Sequence, residues 1–545
     1  MTTHADLVFR GGPVHTLAFG GPGGPVATAV AVRDGRIVTV GDDADVQSLI
    51  GPDTEVVDLA GRALLPGFQD AHVHPVLAGL TMIQCDLHDA NDADEAVAAV
   101  RAYVEANPDA EWISGGGWSM EWFPGGTPSR HLLDAVVPDR PVHLVNRDGH
   151  GAWVNTRALE LCGIDAATPD PVDGRIEREA DGTPQGTLHE GASGLVGRNV
   201  PEPTADMVLR GLQAGQQRLH SVGVTAWQDA MVNTEVEQAY RTAAESGLLT
   251  GRVVGALWWD RERGEEQVPE LLARRGGVGT FRTTSVKIMQ DGVAENFTAA
   301  MTSSYLDGCG CGTGNQGLSF VDPEKLRAYV TRLDAEGFQV HVHAVGDRAA
   351  REALDAFAAA RAANGTNDNR HHIAHLQVVH PDDVPRFAAL GIAANMQPLW
   401  AAHEPQMDEL TIPFLGPERA GWQYPFGDLA RTGAPLAAGS DWPVSSPNPF
   451  LGIHVAVNRV IPDESQEVFL PEQCLDLTAA LAAYTIGTAR VNHLDTETGT
   501  IEEGKFADLV VTDRDPYSIP VGELAETSVL ATYVEGRRVH TDPAF

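Results

Sequence analysis

His72 and His74 stand two apart at the end of an apolar run covering residues 63–74. Side chains i and i+2 of a strand point to one face, so two imidazoles separated only by Val73 converge on a common point, where they could hold a metal ion. Taken alone, the pair could equally be hydrogen-bonded histidines at a strand end. The same residue types recur at the ends of later apolar runs, as Lys287, His343, His375 and Asp441. His341 and His343 share a face; His343 lies nearer the strand's exit and is the expected ligand, with His341 packing beneath it. His371 and His372 are expected at a strand start or in structural hydrogen bonds. Lys287 is out of place in an apolar strand, because a buried unpaired ammonium is costly, and surface exposure is its simpler reading. For Asp441 the alternative reading is a helix cap or Asx turn. Imidazole and carboxylate donors, with no cysteine among them, suit one or two divalent ions, Zn²⁺ ahead of Mn²⁺, Fe²⁺ or Co²⁺.

Something must bring these distant residues together. Short strand-like runs fall at 63–74, 223–229, 252–259, 285–292, 339–346, 371–376, 391–396 and 435–441, with helical stretches between most of them. That alternation predicts an α/β fold, a (β/α)₈ TIM barrel. Active sites of such barrels lie at the C-terminal ends of the strands, which is where the candidate residues fall. The gap from about 80 to 215 is too long for one βα connection and predicts an insertion after the first strand. Residues 1–62 and 498–545 share a texture of β-branched runs and turns, with an AspGly hairpin signal at 34–35. They predict one small β-sandwich module built from both termini, leaving 63–497 for the barrel.

Composition narrows the partners. The chain has 545 residues, 43% of them hydrophobic, and carries 38 Lys and Arg against 75 Asp and Glu, a formal charge of -37. Such a surface repels phosphate backbones and anionic lipid, so neither nucleic acid nor a membrane is an expected partner. No run of about 18 apolar residues and no leader-like N-terminus stands out, which predicts a cytoplasmic protein. Five scattered cysteines imply no disulfide framework; Cys309 and Cys311 fall in a Gly-rich stretch expected to be a flexible loop with free thiols.

The motifs at 66–74, 148–155, 341–349, 439–444 and 499–511, in this order, resemble those of the amidohydrolase superfamily, in its YtcJ-like family 3 branch, which includes N-substituted formamide deformylase. The resemblance covers nearly the whole chain. It implies that His72 and His74 bind one metal, that Lys287, carboxylated on its amine, bridges to a second held by His343 and His375, and that Asp441 contacts the first metal and the attacking water. It also suggests a homodimer. Ala374 departs from the pattern, since the family often has Glu before the histidine of the sixth strand.

The expected function is hydrolysis of a C–N bond, of the amide or N-substituted formamide type, in a small molecule by metal-bound hydroxide. A metal lowers the pKa of its water from about 15.7 toward ~7. Asp441 is the expected base and His150 a donor to the oxyanion. Trp118, Trp122, Trp153 and Trp442 either line an apolar substrate pocket or form the insertion's own core. The same centre would also serve a cyclic imide or hydantoin hydrolase, a deaminase or an esterase, and a barrel kept as a non-catalytic scaffold is a further alternative.

Overall fold

The computed structural model describes residues 4–18, 27–462 and 467–545; parts of the proposed N-terminal span, residues 1–3 and 19–26, therefore lie outside the described residues. Eight parallel strands follow one another around a nearly closed barrel: β1 (Phe68–Val73), β2 (Val224–Val232), β3 (Arg252–Trp258), β4 (Phe281–Met289), β5 (Gln339–Ala344), β6 (His372–His375), β7 (Ala393–Met396) and β8 (Leu436–Ala438). All eight runs expected from the sequence are present. Most of their large apolar residues are buried in one core with the surrounding helices, while Ala71, Ala393 and Ala437 form a smaller cluster of their own.

No regular ladder joins β8 to β1. The seam is closed just beyond β8 by backbone bonds from Asp441 N to His72 O (2.7 Å) and from His74 N to Trp442 O (2.9 Å). Beneath them the buried Asp70 carboxylate accepts from Ser440 Oγ at 2.6 Å and from His72 N at 3.0 Å. Burial pushes this carboxyl up to about 7, against those opposing hydrogen bonds. Closure thus depends on a polar clasp, and it sets His72, His74 and Asp441 side by side.

The run 63–74 is two strands rather than one. Ala63–Pro66 pairs antiparallel with Leu509–Thr512, and the chain then turns at Gly67 into β1. A Cβ on Gly67 would meet Thr225 Oγ1 at 2.4 Å, so the bend brings backbone against β2 more closely than a side chain permits. Strands from both ends of the chain join in one eight-stranded sheet around their own apolar cluster. The AspGly turn at 34–35 connects two of them with both residues at positive φ, as a two-residue hairpin requires.

The long gap after β1 holds a six-stranded sheet, ordered Gly174–Arg178, Pro184–Glu190, Gly151–Val154, Val142–Asn146, Ile113–Trp118 and Cys85–Asp86. Helix α1 (Pro75–Met82) leads into this insertion and α2 (Ala205–Ser221) leads back. The two pack through glycines: a Cβ on Gly79 would lie 1.8 Å from Gly211 O, and one on Gly215 would lie 2.2 Å from Pro75 O. Backbone atoms cannot yield as a flexible side chain can. Gly79→Val is therefore expected to destabilise the fold by roughly 1–3 kcal/mol, seen as a lower midpoint in urea unfolding; an unchanged midpoint would mean that the helices do not meet there.

Candidate metal centre

The six residues expected to share a site do come together at the C-terminal ends of the barrel strands. His72, His375 and Asp441 each offer a ligand atom within 4.8 Å of the others, all buried. Asp441 Oδ1 lies 3.3 Å from His72 Nε2 and 3.0 Å from His74 Nε2, and Asp441 Oδ2 lies 3.8 Å from His375 Nδ1. Lys287 Nζ is 3.3 Å from His72 Nε2. The His343 ring centre is 4.3 Å from that of His375.

Register explains the convergence. In the sheet Lys287 pairs with His341, His343 with Ala374, and His375 with Met396, so successive strands present their polar residues at one level or the next above it. The backbone is bent to finish the job. His375, Leu376 and Asp441 have φ of 79°, 55° and 55°, a region unfavourable for residues with a side chain and often found at functional sites.

The orientation of His72 is set by a chain of buried hydrogen bonds. Gln339 Nε2 donates to two backbone carbonyls, Arg370 O and Val491 O, which leaves Gln339 Oε1 as an acceptor. Gln228 Nε2 donates to that oxygen and to Asn492 Oδ1, so Gln228 Oε1 in turn accepts, from His341 Nδ1 at 2.7 Å and from His372 Nε2 at 3.0 Å. His341 Nε2 must then accept the proton of His72 Nδ1, 2.9 Å away. What remains on His72 is the Nε2 lone pair, aimed at Asp441 and Lys287. A metal-binding imidazole needs this arrangement, one nitrogen anchored and the other free. His341 packs beneath the site, as expected, and does so as a positioning group.

His343 is held differently: its Nδ1 faces Asp291 Oδ1 at 3.1 Å, and the Asp291 carboxylate is itself fixed by the backbone NH groups of Ala300, Val345 and Gly346. His375 is held by stacking on Trp400, with ring centres 5.4 Å apart and planes 8° apart, and neither of its ring nitrogens has a hydrogen-bond partner among the described residues. Orphaned buried nitrogens are costly unless something binds them.

Electrostatics favour neutral ligands around one anion. Burial pulls His72 down to about 3, assisted by Lys287, and pulls His341, His343 and His375 well below the ordinary histidine value. Burial alone would raise Asp441, but His72 and His74 beside it hold its carboxyl well below the usual range. Lys287 is 2% exposed, and burial brings its ammonium down to about 7 against the pull of Asp441. Surface exposure, its simpler reading, is excluded.

His150 reaches the site from the insertion, its ring centre 5.6 Å from that of His343. Burial would lower it, yet the Glu190 carboxylate at 3.0 Å prevails and raises it to about 9. Glu190 also accepts from Thr298 Oγ1, and Asn296 Nδ2 donates to His150 O, so the loop after β4 secures the insertion to the barrel.

The tryptophans divide. Trp118 and Trp153 are 0% exposed in the insertion's core, with their indole NH groups bonded to Leu144 O and Ser129 O. Neither ring presents surface to a ligand, so the core reading holds for both. Trp122 is half-buried against that core beside the Arg147 guanidinium, and the Trp442 ring is buried in the barrel core. Sequence reading passed over Trp400, Asp291, Glu190, Gln228 and Gln339. The two glutamines had a legible signal, an amide inside an otherwise apolar strand.

The sequence profile of the amidohydrolase family matches residues 55–540. The chain is 33% identical to Protein LONG AFTER FAR-RED 3 of Arabidopsis thaliana, across 98% of this chain and 92% of that protein. It is 28% identical to N-substituted formamide deformylase of Arthrobacter pascens, across 98% of both. A crystal structure of an uncharacterized metal-dependent hydrolase from Pyrococcus furiosus superposes with a TM-score of 0.71 at 25% identity, covering 94% of this chain and 99% of that one. Among the described residues no helix is long and apolar enough to cross a membrane.

Gln228→Leu removes both the acceptor for two histidines and the donor to Gln339 and Asn492. Each buried group left unpaired costs roughly 1–3 kcal/mol, so the variant is expected to unfold at clearly lower urea concentration and to bind metal less tightly. Wild-type values of both would dissolve the link between the amide chain and His72.

Proposed function

Because the chain belongs to the amidohydrolase family, we propose that it hydrolyses a carbon–nitrogen bond of a small molecule, amide or N-substituted formamide in type, at a divalent-metal site formed by His72, His74, Lys287, His343, His375 and Asp441. The observation that carries this reading is the buried convergence of His72, His375 and Asp441, with the nitrogens of His375 left without hydrogen bonds. The likeness to a formamide deformylase supports the choice of bond. The donors are neutral imidazoles and a carboxylate with no thiolate, a set that fits Zn²⁺ first.

A cation held there supplies Lewis acidity, making water more acidic and polarising the scissile carbonyl. The residues do the rest. Asp441, ionised in the resting site, takes a proton from the attacking water as the new C–O bond forms. It then returns that proton to the departing nitrogen as the C–N bond breaks, leaving a carboxylic acid and an amine, between which a proton passes to give carboxylate and ammonium. His150, kept protonated by Glu190, donates to the carbonyl oxygen as negative charge builds there.

Lys287 is the carbamylation site in this reading. At a value near 7 much of its amine is neutral, the form that adds CO₂. Addition of CO₂, forming an N–C bond with loss of a proton, would give a carbamate, an anionic oxygen donor with which His343 and His375 would hold a second ion, and would remove the cost of a buried ammonium. The same reading assigns both termini, about 1–62 and 498–545, to a small β-sandwich module, which the strand Ala63–Pro66 joins by pairing with Leu509–Thr512, beside a hydrolase barrel that runs on to about residue 497.

Chelation followed by dialysis is expected to abolish amine release from N-substituted formamides, and added Zn²⁺ to restore it. Asp441→Asn in metal-loaded protein is expected to lower kcat by about 10²–10⁴-fold; wild-type turnover would rule out Asp441 as the base. Lys287→Ala is expected to lose metal, measured by elemental analysis, and to lose the carbamate signal seen by carbon NMR in labelled bicarbonate. A Lys287→Ala protein with full metal content would remove the bridging role.

A further inference from the structure

Trp258, the last residue of β3, is half-buried, and nothing in the fold accounts for its ring. Each of the other tryptophans belongs to an apolar cluster or packs against one. Trp258 belongs to none, and among the described residues its ring has neither an aromatic neighbour nor a hydrogen-bond partner for its NH.

Its direction follows from the residues on either side. Leu257 and Trp259 are both buried in the core shared with the surrounding helices, and the Trp259 ring centre is 4.7 Å from that of Tyr329 on the helix Pro323–Ala335. Side chains alternate along a strand, so Trp258 turns to the inside of the barrel. Register fixes its height: Trp258 pairs with Lys287 of β4, whose amine lies 3.3 Å from His72 Nε2.

Met289 repeats the pattern two residues beyond Lys287. Ile288 faces the helices, and Gln290 donates to Glu352 Oε2 on the helix Asp347–Asn364, so Met289 between them also faces inward. It pairs with His343, is half-buried, and likewise belongs to no apolar cluster among the described residues. Two large apolar side chains thus stand inside the mouth of the barrel, each beside a residue of the metal centre, and neither is covered by protein.

We propose that Trp258 and Met289 form the wall against which the substrate's hydrocarbon substituent packs, and that they select a bulky neutral group over a small or a charged one. The inference rests on the C–N hydrolase reading above and deepens it by naming the substrate class. Single apolar side chains on an outer surface need no explanation. These two face the reacting centre, where hydrocarbon laid against them leaves water, strengthening binding by up to about fourfold for each methylene covered. A charged substituent would lose hydration there and find no partner on the wall. Contact of this kind acts on bound substrate and transition state alike, so its loss falls on KM.

The test compares N-methyl-, N-butyl- and N-cyclohexylformamide with the cationic N-(4-aminobutyl)formamide on Zn²⁺-loaded protein. Across the three neutral compounds kcat/KM is expected to rise, by up to about fourfold for each added methylene, and the cationic compound to fall below N-butylformamide. Trp258→Ala is expected to keep the wild-type zinc content and midpoint in urea unfolding, and to lower kcat/KM for N-cyclohexylformamide about tenfold more than for N-methylformamide, through KM; Trp258→Phe is expected to lie between. A lower midpoint or zinc content in Trp258→Ala would mean that the ring supports the fold, and would overturn the inference. Equal losses for all four compounds, with ready turnover, would also overturn it and leave C–N hydrolysis standing. If none is turned over, the hydrolase reading fails, and calorimetric titration of the same compounds decides the wall independently. Tighter binding of N-cyclohexylformamide than of N-methylformamide, lost in Trp258→Ala, would support it; equal binding would overturn it.

Discussion

Everything at the centre of this molecule depends on where one proton sits. Two backbone carbonyls beyond the strand ends orient the Gln339 amide, Gln339 orients Gln228, Gln228 orients His341, and His341 leaves His72 with its Nδ1 hydrogen directed into the protein and its Nε2 lone pair directed out. Every link but the part-buried one to Arg370 O is buried, where an unmade hydrogen bond is expensive, so the alternative orientations are suppressed along the chain. Backbone geometry is rigid in a way that side chains are not. By starting from carbonyl groups, the fold transmits that rigidity to a single imidazole nitrogen.

The seam between β8 and β1 works to the same end. Its backbone bonds and the Asp70 clasp hold His72, His74 and Asp441 together, and the positive φ of Asp441 turns its carboxylate inward. A regular strand pair would have continued its ladder and left that carboxylate on the sheet. The barrel therefore gives up regular pairing at the point where the chemistry is concentrated, and polar bonds replace what the ladder would have supplied.

Much of this was legible in the sequence. Short apolar runs alternating with helical stretches point to the eight strands, and the period-two spacing of His72 and His74, with the recurrence of His, Lys and Asp at strand exits, points to the residues that meet. Three things were harder to read. The split of residues 63–74 at Gly67 depends on a close approach to Thr225, a contact between distant segments. The role of Trp118 and Trp153 depends on which face of the insertion is covered, and a bulky aromatic carries the same local pattern in a core as in a pocket. Asp291 and Glu190 act through backbone amides and through a histidine from another segment, so nothing adjacent in the chain marks them.

The pairing of Ala63–Pro66 with Leu509–Thr512 has a consequence for the order of events during synthesis. The first strand of the barrel is led in by a segment whose hydrogen-bonding neighbour emerges from the ribosome more than four hundred residues later. Arg252, at the start of β3, likewise pairs with Asp508 at 2.8 Å. Both contacts span so much sequence that they form late, after most local structure is in place. The nascent barrel must wait, with its opening strands unanchored at the base, until translation has delivered the stretch around residue 510. A ribosome stalled short of that point would carry every candidate ligand and still lack the anchors beneath the first and third strands.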